Sequence, residues 1–413
     1  MKISFILLVA VIFASCTSTS DEDLIIHAEA GDFDRYNSII SFQLPETLAH
    51  KEYHLTDSDG NSYPFQIDGQ QGTFILTSLS RKESISFRLL PSGTEERNDA
   101  VIVQHTDEAV VFESETGNPV LHYRTSAEGL NLGDLDERFR RGGYLHPVYT
   151  PSGQVVTGHY NPDRAHQLGI WSGWSRIEFE GRNPDFWYPV TDRGEIKFGL
   201  LDKLWSGPVH SGIHTKHQFI DHTADEPLPI LTETWAVQVY NTPEIDDQPV
   251  HMFDLDVDQQ NISESPITFN EHVYGGISFR GNDDWLGEEG TRLLTSEGKT
   301  KVDWAPIRDV WSHVNAHQSR AKWAYLSGVV EGEHPGIIIL VHPDNLNFPE
   351  PIFMNLREPF FAFSPTMMGD ITVEPGESLR FRYRYVVLDE EPDPEFIENL
   401  WQDYANPVTI TLN

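Results

Sequence analysis

The sequence predicts an all-β protein, a large antiparallel β-sandwich preceded by a small β-sandwich-like module. Three observations lead there. Short alternating or β-rich runs recur between Gly, Pro, Asn and Asp turn signals along the whole body of the 413-residue chain. Outside the last turns, around Pro394 to Tyr404, no stretch of about 11–18 residues holds a 3.6-residue apolar period. So many strands need two packed sheets or a closed barrel to manage their edges.

The elements follow in chain order. Met1-Lys2 supplies a positive start, and Ile3 to Ala14 is apolar but too short to span a bilayer, so residues 1–15 read as a signal peptide. Phe13-Ala14-Ser15-Cys16 resembles a bacterial lipobox, in which small residues precede the cysteine that is lipidated. Residues 16–23 are then a lipidated tether, and its Ser20-Asp21-Glu22-Asp23 resembles the acidic export signal of Bacteroidetes surface lipoproteins. Residues 24–115 form the small module, with strand candidates such as Ser38 to Phe42, Thr73 to Leu76, Ser84 to Leu89 and Val101 to Val103. Residues 116–413 form the large sandwich, with candidates Val120 to Tyr123, Ile177 to Phe179, Ile230 to Tyr240, Met252 to Val257, Gly336 to Val341 and Leu379 to Leu388.

Composition excludes several roles. Cys16 is the single cysteine, so disulfides, cysteine nucleophiles and thiolate metal cages are ruled out in the folded body. With 64 acidic and 29 basic residues the formal charge is −35, which repels nucleic acids and anionic lipids at long range. Contact with a membrane is therefore expected only through the lipid anchor. Phosphate loops, Ser-centred nucleophile elbows and dinucleotide fingerprints are not evident, and no cofactor is indicated.

Chemistry is concentrated between Leu121 and Ile220. That window holds 11 basic and 11 acidic residues, so the whole negative charge lies elsewhere. It also carries seven of the 18 histidines and four of the 10 tryptophans. Trp faces stack on sugar rings, Arg forks a carboxylate, and His carries a proton near neutral pH, so an acidic oligosaccharide is the expected partner. Within the window, Arg140-Arg141-Gly142-Gly143-Tyr144-Leu145-His146 leads into a loop that presents His159, Arg164 and His166 ahead of Gly169-Ile170-Trp171-Ser172-Gly173-Trp174. Each histidine alone fits a hydrogen-bonded packing role equally well. Further on, Asn270-Glu271-His272-Val273-Tyr274 reads as a strand that places His272 and Tyr274 on one face, just ahead of Arg280. His214 and His217 have metal-like spacing only in a helix, and in a strand they diverge.

These runs, with Tyr274-Gly275-Gly276-Ile277-Ser278-Phe279-Arg280-Gly281 and Phe360-Phe361-Ala362-Phe363-Ser364, resemble the PmoA-like family, historically mislabelled as methane oxygenase, over about Leu121 to Pro392. Where that family carries His-Pro-His-His-Arg-Gly, this chain has Asp163-Arg164-Ala165-His166-Gln167-Leu168-Gly169. His166 and the following Gly-Ile-Trp match, whereas Ala165 and Gln167 depart. The resemblance implies a supersandwich like that of galactose mutarotases, in a carbohydrate-degrading system.

Together these readings point to a β-eliminating lyase or dehydratase acting on uronic-acid oligosaccharides from the outer membrane, at the cell surface or otherwise in the periplasm. His166 or His272 is the expected base and Tyr274 the acid. Arg164 or Arg280 would hold the carboxylate, His159 would contact substrate, and Trp171 and Trp174 would stack on the sugar. A glycoside hydrolase, or a glycan-binding lipoprotein without turnover, are the alternatives. No carboxylate pair stands out among the 64 acids to locate a hydrolytic site.

Overall fold

The structure, a computed structural model, describes residues 24–48, 52–91, 101–243, 248–287, 290–300, 302–303, 314–315, 319–355 and 358–413. The signal peptide, the tether and the lipidation candidate Cys16 lie outside the described residues.

Two large antiparallel sheets face each other. One has nine strands, running from Arg320–Ala321 through Glu350–Asn355, Phe360–Phe363, Gly275–Arg280, Ile170–Trp174, Tyr144–Val148, Pro119–Arg124 and Ala109–Ser114 to Val101–His105. The other has eight, with the long strands Gly194–Trp205, His210–Asp221, Leu228–Tyr240, His251–Asn261 and Ser378–Leu388 side by side. Alternation explains the layering. Along Ile170–Trp174, Ile170 and Trp174 enter the core between the sheets, while Trp171 turns to the outer face. Facing it across the core stand Trp235, Val237 and Phe253, all fully buried. The predicted all-β sandwich is the observed fold.

The small module is two short sheets around Phe74, Phe87, Ile26 and Leu55. Its boundary is not at residue 115. Strands Val101–His105 and Ala109–Ser114 hydrogen-bond into the nine-stranded sheet, and Thr409–Leu412 at the other end of the chain pairs with Ile25–Glu29. Period-two runs look the same whichever sheet they join, so only long-range pairing separates them. The helix Pro394–Ala405 bears out the one helical period. Asp393 caps it by accepting from the amide of Glu395, and Ile397, Leu400, Trp401 and Tyr404 form its buried face. Asp403 on this helix takes a buried ion pair from Arg35 at 2.9 Å and a hydrogen bond from Ser38 at 2.7 Å, locking module to sandwich.

Residues 270–274 are a loop between Ile267–Phe269 and Gly275–Arg280, not a strand. Thr366 ties this loop down, donating from Oγ1 to the His272 carbonyl while its own carbonyl accepts the His272 amide, so local bonds replace the ladder. His214 and His217 do sit on a strand, three residues apart and diverging.

Candidate functional site

The outer face of the nine-stranded sheet is covered by loops rather than by another sheet. Trp171, Tyr144, Phe353 and Phe360 project from its strands and meet Tyr160, Leu168, Trp187 and Val273 from the loops. This aromatic layer floors a cavity of about 290 Å³. Trp171, His166, Trp187 and Pro189 line it together with Arg138, Arg140 and Arg141 and the acids Glu137, Asp192 and Glu195. A second cavity of about 340 Å³ adjoins the first, between residues 125–128 and 195–198, and the two share Arg140, Arg141, Glu195 and Ile196. The pair of arginines thus stands between two hollows.

The arginines around this cleft divide into two kinds. Arg138 is neutralised, its Nη1 lying 2.8 Å from Asp192 and its Nη2 2.6 Å from Asp136. Among the described residues, the Arg140 side chain donates to the carbonyls of Gly133 and Leu135, and that of Arg141 to those of Gly142 and Gly143. Neither forms an ion pair with a described carboxylate. Gly143 holds φ at +80°, and a Cβ there would come within 3.0 Å of His217, so glycine is needed for the turn that follows the arginine pair.

His166 is part-buried, with the Tyr188 ring edge-on at 5.0 Å and Trp187 at 6.5 Å. Burial, with Arg164 and Arg280 nearby, pushes its pKa down to about 4. It is therefore a neutral imidazole at pH 7, free to accept a proton.

The other expected site residues are placed as follows. Arg164 is occupied by a two-pronged ion pair with Glu358, Nε to Oε2 at 2.9 Å and Nη2 to Oε1. Arg280, 1% exposed, bonds Gln167 and Asp283 at 2.8 Å each and the carbonyl of Glu358. It is a tie-rod for the loops, and neither arginine is an open fork for a substrate. Gln167 is correspondingly the acceptor that fixes Arg280. Trp174 is fully buried on the inner face, its indole donating to Gln259 at 2.9 Å, so it cannot stack on a sugar. Trp171 does reach the cavity, though 2% exposed, braced by Trp187 and Phe360. His159 lies elsewhere, bonded to Tyr144 at 3.1 Å and packed on His146 with ring centroids 3.7 Å apart.

Tyr274 stacks on Trp187 at 5.1 Å and lies within reach of Arg164 and Glu358, but it lines neither cavity. His272 lies beside it at 5.4 Å and faces a separate hollow with Arg176, Glu271 and Met367. The structure therefore brings His166, Trp171 and Trp187 together with Arg140 and Arg141, and leaves His272 and Tyr274 apart.

Beneath the cleft, between the sheets, a polar chain is fully buried. The Tyr123 hydroxyl meets His217 Nε2 at 2.5 Å, His217 Nδ1 meets Glu233 at 2.6 Å, and Ser172 and Gln259 donate to the same carboxylate. These bonds outweigh burial and hold the Glu233 carboxyl below its usual range. No spacing in the sequence signals this chain, because its members come from five strands.

A family of unknown function, DUF6807, matches residues 111–402. The chain belongs to this family. No curated protein matches it. Among solved structures, it is similar to a GH36 α-galactosidase, AgaA, from Geobacillus stearothermophilus, with 10% identity and a TM-score of 0.32 over 70% of this chain and 41% of that one. It is also similar to a protein from Klebsiella pneumoniae classed provisionally as an aldose 1-epimerase, with 12% identity and a TM-score of 0.33 over 89% of this chain and 96% of that one. A TPR-domain protein from Parabacteroides distasonis matches at 10% identity and a TM-score of 0.24, over 87% of this chain and 57% of that one. The chain spans about two fifths of the length of the galactosidase. Likeness this remote leaves substrate and reaction to be argued from the site itself.

Proposed function

We propose that this protein is a carbohydrate-active lyase or dehydratase that binds uronic-acid-containing oligosaccharides in the cleft divided by Arg140 and Arg141. The observation that supports it is a pair of guanidinium groups without an ion pair to a described carboxylate, shared with Glu195 by two adjoining cavities, beside a neutral histidine and two tryptophans. In a chain at −35, cations left unpaired are suited to an incoming anion.

The chemistry follows from that placement. Arg140 or Arg141 forks the uronate carboxylate and offsets its charge, which acidifies the proton on the adjacent C5. His166 takes that proton, the C5 electron pair forms the C4–C5 double bond, and the C4–O bond breaks. The same imidazolium returns its proton to the departing oxygen, so one residue serves as base and then acid. Trp171 and Trp187 give the sugar ring an apolar wall. The lipobox reading of Cys16 would hold the enzyme on the outer membrane, where such polymers are met.

One observation favours binding without turnover: Tyr274, the expected acid, lies outside both cavities. A single experiment separates the readings. Acidic oligosaccharides are incubated with wild type, His166→Ala and Arg141→Gln, following ultraviolet absorbance of unsaturated uronate alongside calorimetric binding. The lyase reading expects product from wild type only, with His166→Ala still binding and Arg141→Gln binding at least about tenfold more weakly. Saturable binding without product supports the glycan binder, and reducing ends without absorbance support a hydrolase. No binding of any uronate would overturn the cleft as the site.

A further inference from the structure

A second cluster on the same outer face is untouched by this reading. Strand Pro119–Arg124 turns His122 and Arg124 outward, and the neighbouring strand Tyr144–Val148 turns His146 beside them. His159, from the loop above, lies on His146. Among the described residues, the one bond from the Arg124 side chain is Nε to the His146 carbonyl at 3.2 Å, and it forms no ion pair with a described carboxylate. Both of its terminal nitrogens are therefore unspent.

The histidines are fixed in a matching way. His146 Nδ1 is held by Thr157 at 2.9 Å and His159 Nδ1 by Tyr144 at 3.1 Å, which leaves Nε2 of each ring without a partner among the described residues. His122 makes no hydrogen bond to a described group and rests near Tyr149, with ring centroids 5.7 Å apart. Asp283, the carboxylate that faces His159, is already taken by Arg280 at 2.8 Å and Asn161 at 3.1 Å. A half-buried guanidinium among three imidazoles, with no ion pair to a described carboxylate, has lost water without gaining a direct counter-charge. The three histidines are not arranged to hold a metal ion.

We infer that Arg124, His122, His146 and His159 form a second binding site, one that takes a compact oxyanion such as a carboxylate or a sulfate group. The guanidinium supplies two donors and the charge, and the imidazoles supply donors once protonated. It is distinct from the Arg140–Arg141 cleft, to which it is joined through Tyr144 and Tyr160, packed edge to face, and through Gly143, whose amide donates to the Arg124 carbonyl and whose carbonyl accepts from Arg141.

Proton linkage gives the site a signature. Burial and the Arg124 charge hold His122 and His159 at about 4 and His146 well below the usual imidazole value, so all three are neutral near pH 7. The surrounding Tyr144, Tyr149 and Tyr160 are pushed up and stay protonated, and Asp283 acts only on His159. A bound anion opposes Arg124 and raises the histidines, so binding takes up protons and tightens as pH falls.

The test is calorimetric titration of the full chain with sodium sulfate, sodium phosphate and sodium glucuronate, at fixed ionic strength in chloride, in buffers of different ionisation heat. The expected result is saturable binding that tightens several-fold from about pH 7 to about pH 5.5 with net proton uptake. Arg124→Gln should lose it, Arg124→Lys should keep a weaker form, and Arg140→Gln/Arg141→Gln should leave it intact. Glucuronate binding that exceeds sulfate points to a sugar acid, and the reverse to a sulfate ester. Identical titrations for wild type and Arg124→Gln, or no saturable heat with any of the three anions, would overturn the site. Loss in the double variant with retention in Arg124→Gln would move the binding to the cleft and overturn it too.

Discussion

Glu350 offers a perturbation whose size can be worked out. It lies fully buried on strand Glu350–Asn355, where its carboxyl accepts from Asn345 Nδ2 at 2.7 Å and from the Tyr383 hydroxyl at 2.9 Å, with no described cation paired to it. Burial outweighs those bonds and pushes its pKa from 4.5 up to about 8. Below 4.5 the carboxyl is protonated in both folded and unfolded chains. As pH rises, the unfolded chain ionises first while the folded one keeps its proton, so this group's stability is lost progressively until about pH 8. The full displacement is worth about 5 kcal/mol, and about 3 kcal/mol of it is gone by pH 7. Glu350→Gln removes the titration and keeps the geometry, since the amide oxygen can still accept from Asn345 and the amide nitrogen can donate to Tyr383. The variant should be nearly as stable as wild type at about pH 5 and more stable by about 3–4 kcal/mol at about pH 8. Urea unfolding at both pH values measures it, because every other group titrates alike in the two proteins. Parallel curves would show that Glu350 is ionised in the folded protein and refute the reasoning.

Two further outcomes separate architecture from recognition. Trp174→Phe leaves the Gln259 carbonyl oxygen buried without its donor and should cost about 1–3 kcal/mol in thermal or urea unfolding, with sugar binding unchanged. Arg164→Leu breaks a partly exposed ion pair and should cost no more than about 1 kcal/mol, whereas Arg280→Leu strands Gln167 and Asp283 and should cost about 3 kcal/mol or more. Comparing their melting temperatures checks the difference.

The fold class was legible because alternation and the lack of helical period are local properties. The terminal helix was legible for the same reason: a capping Asp393, Pro394 at the first position and apolar residues at Ile397, Leu400, Trp401 and Tyr404 all lie within twelve residues. The module boundary was not, since joining 409–412 to 25–29 is a pairing across almost the whole chain. In the site, His166 and Trp171 were legible as loop and strand-end residues next to a turn. Arg164 and Arg280 misled because sequence shows a charge but not its partner: Glu358 lies 194 residues from Arg164, and Gln167 lies 113 residues before Arg280. Trp174 misled through parity. Two residues beyond Ser172, which bonds the buried Glu233, it must share that inner face, whereas Trp171 takes the opposite one.

The pairing of charges explains how a chain at −35 can leave particular guanidinium groups without an ion-pair partner. Acids in the neutral window, and those brought to it from later strands, are used on particular arginines: Asp136 and Asp192 on Arg138, Glu358 on Arg164, Asp283 on Arg280, Asp221 and Glu180 on Arg182. Each pair removes one cation from the local field. Arg140 and Arg141, at the junction of two cavities that Glu195 also lines, and Arg124, among three histidines, are among the cations with no ion pair to a described carboxylate. Their potential is short-ranged, because at about 0.1 M salt it decays over about 10 Å against the acidic background. On the proposed reading, recognition would fall to direct contact rather than to long-range steering, and an anion would have to enter the cleft before feeling net attraction. A built hollow with an aromatic floor is suited to that task, since the apolar contact of a sugar ring can hold the ligand while the guanidinium pair meets its charge.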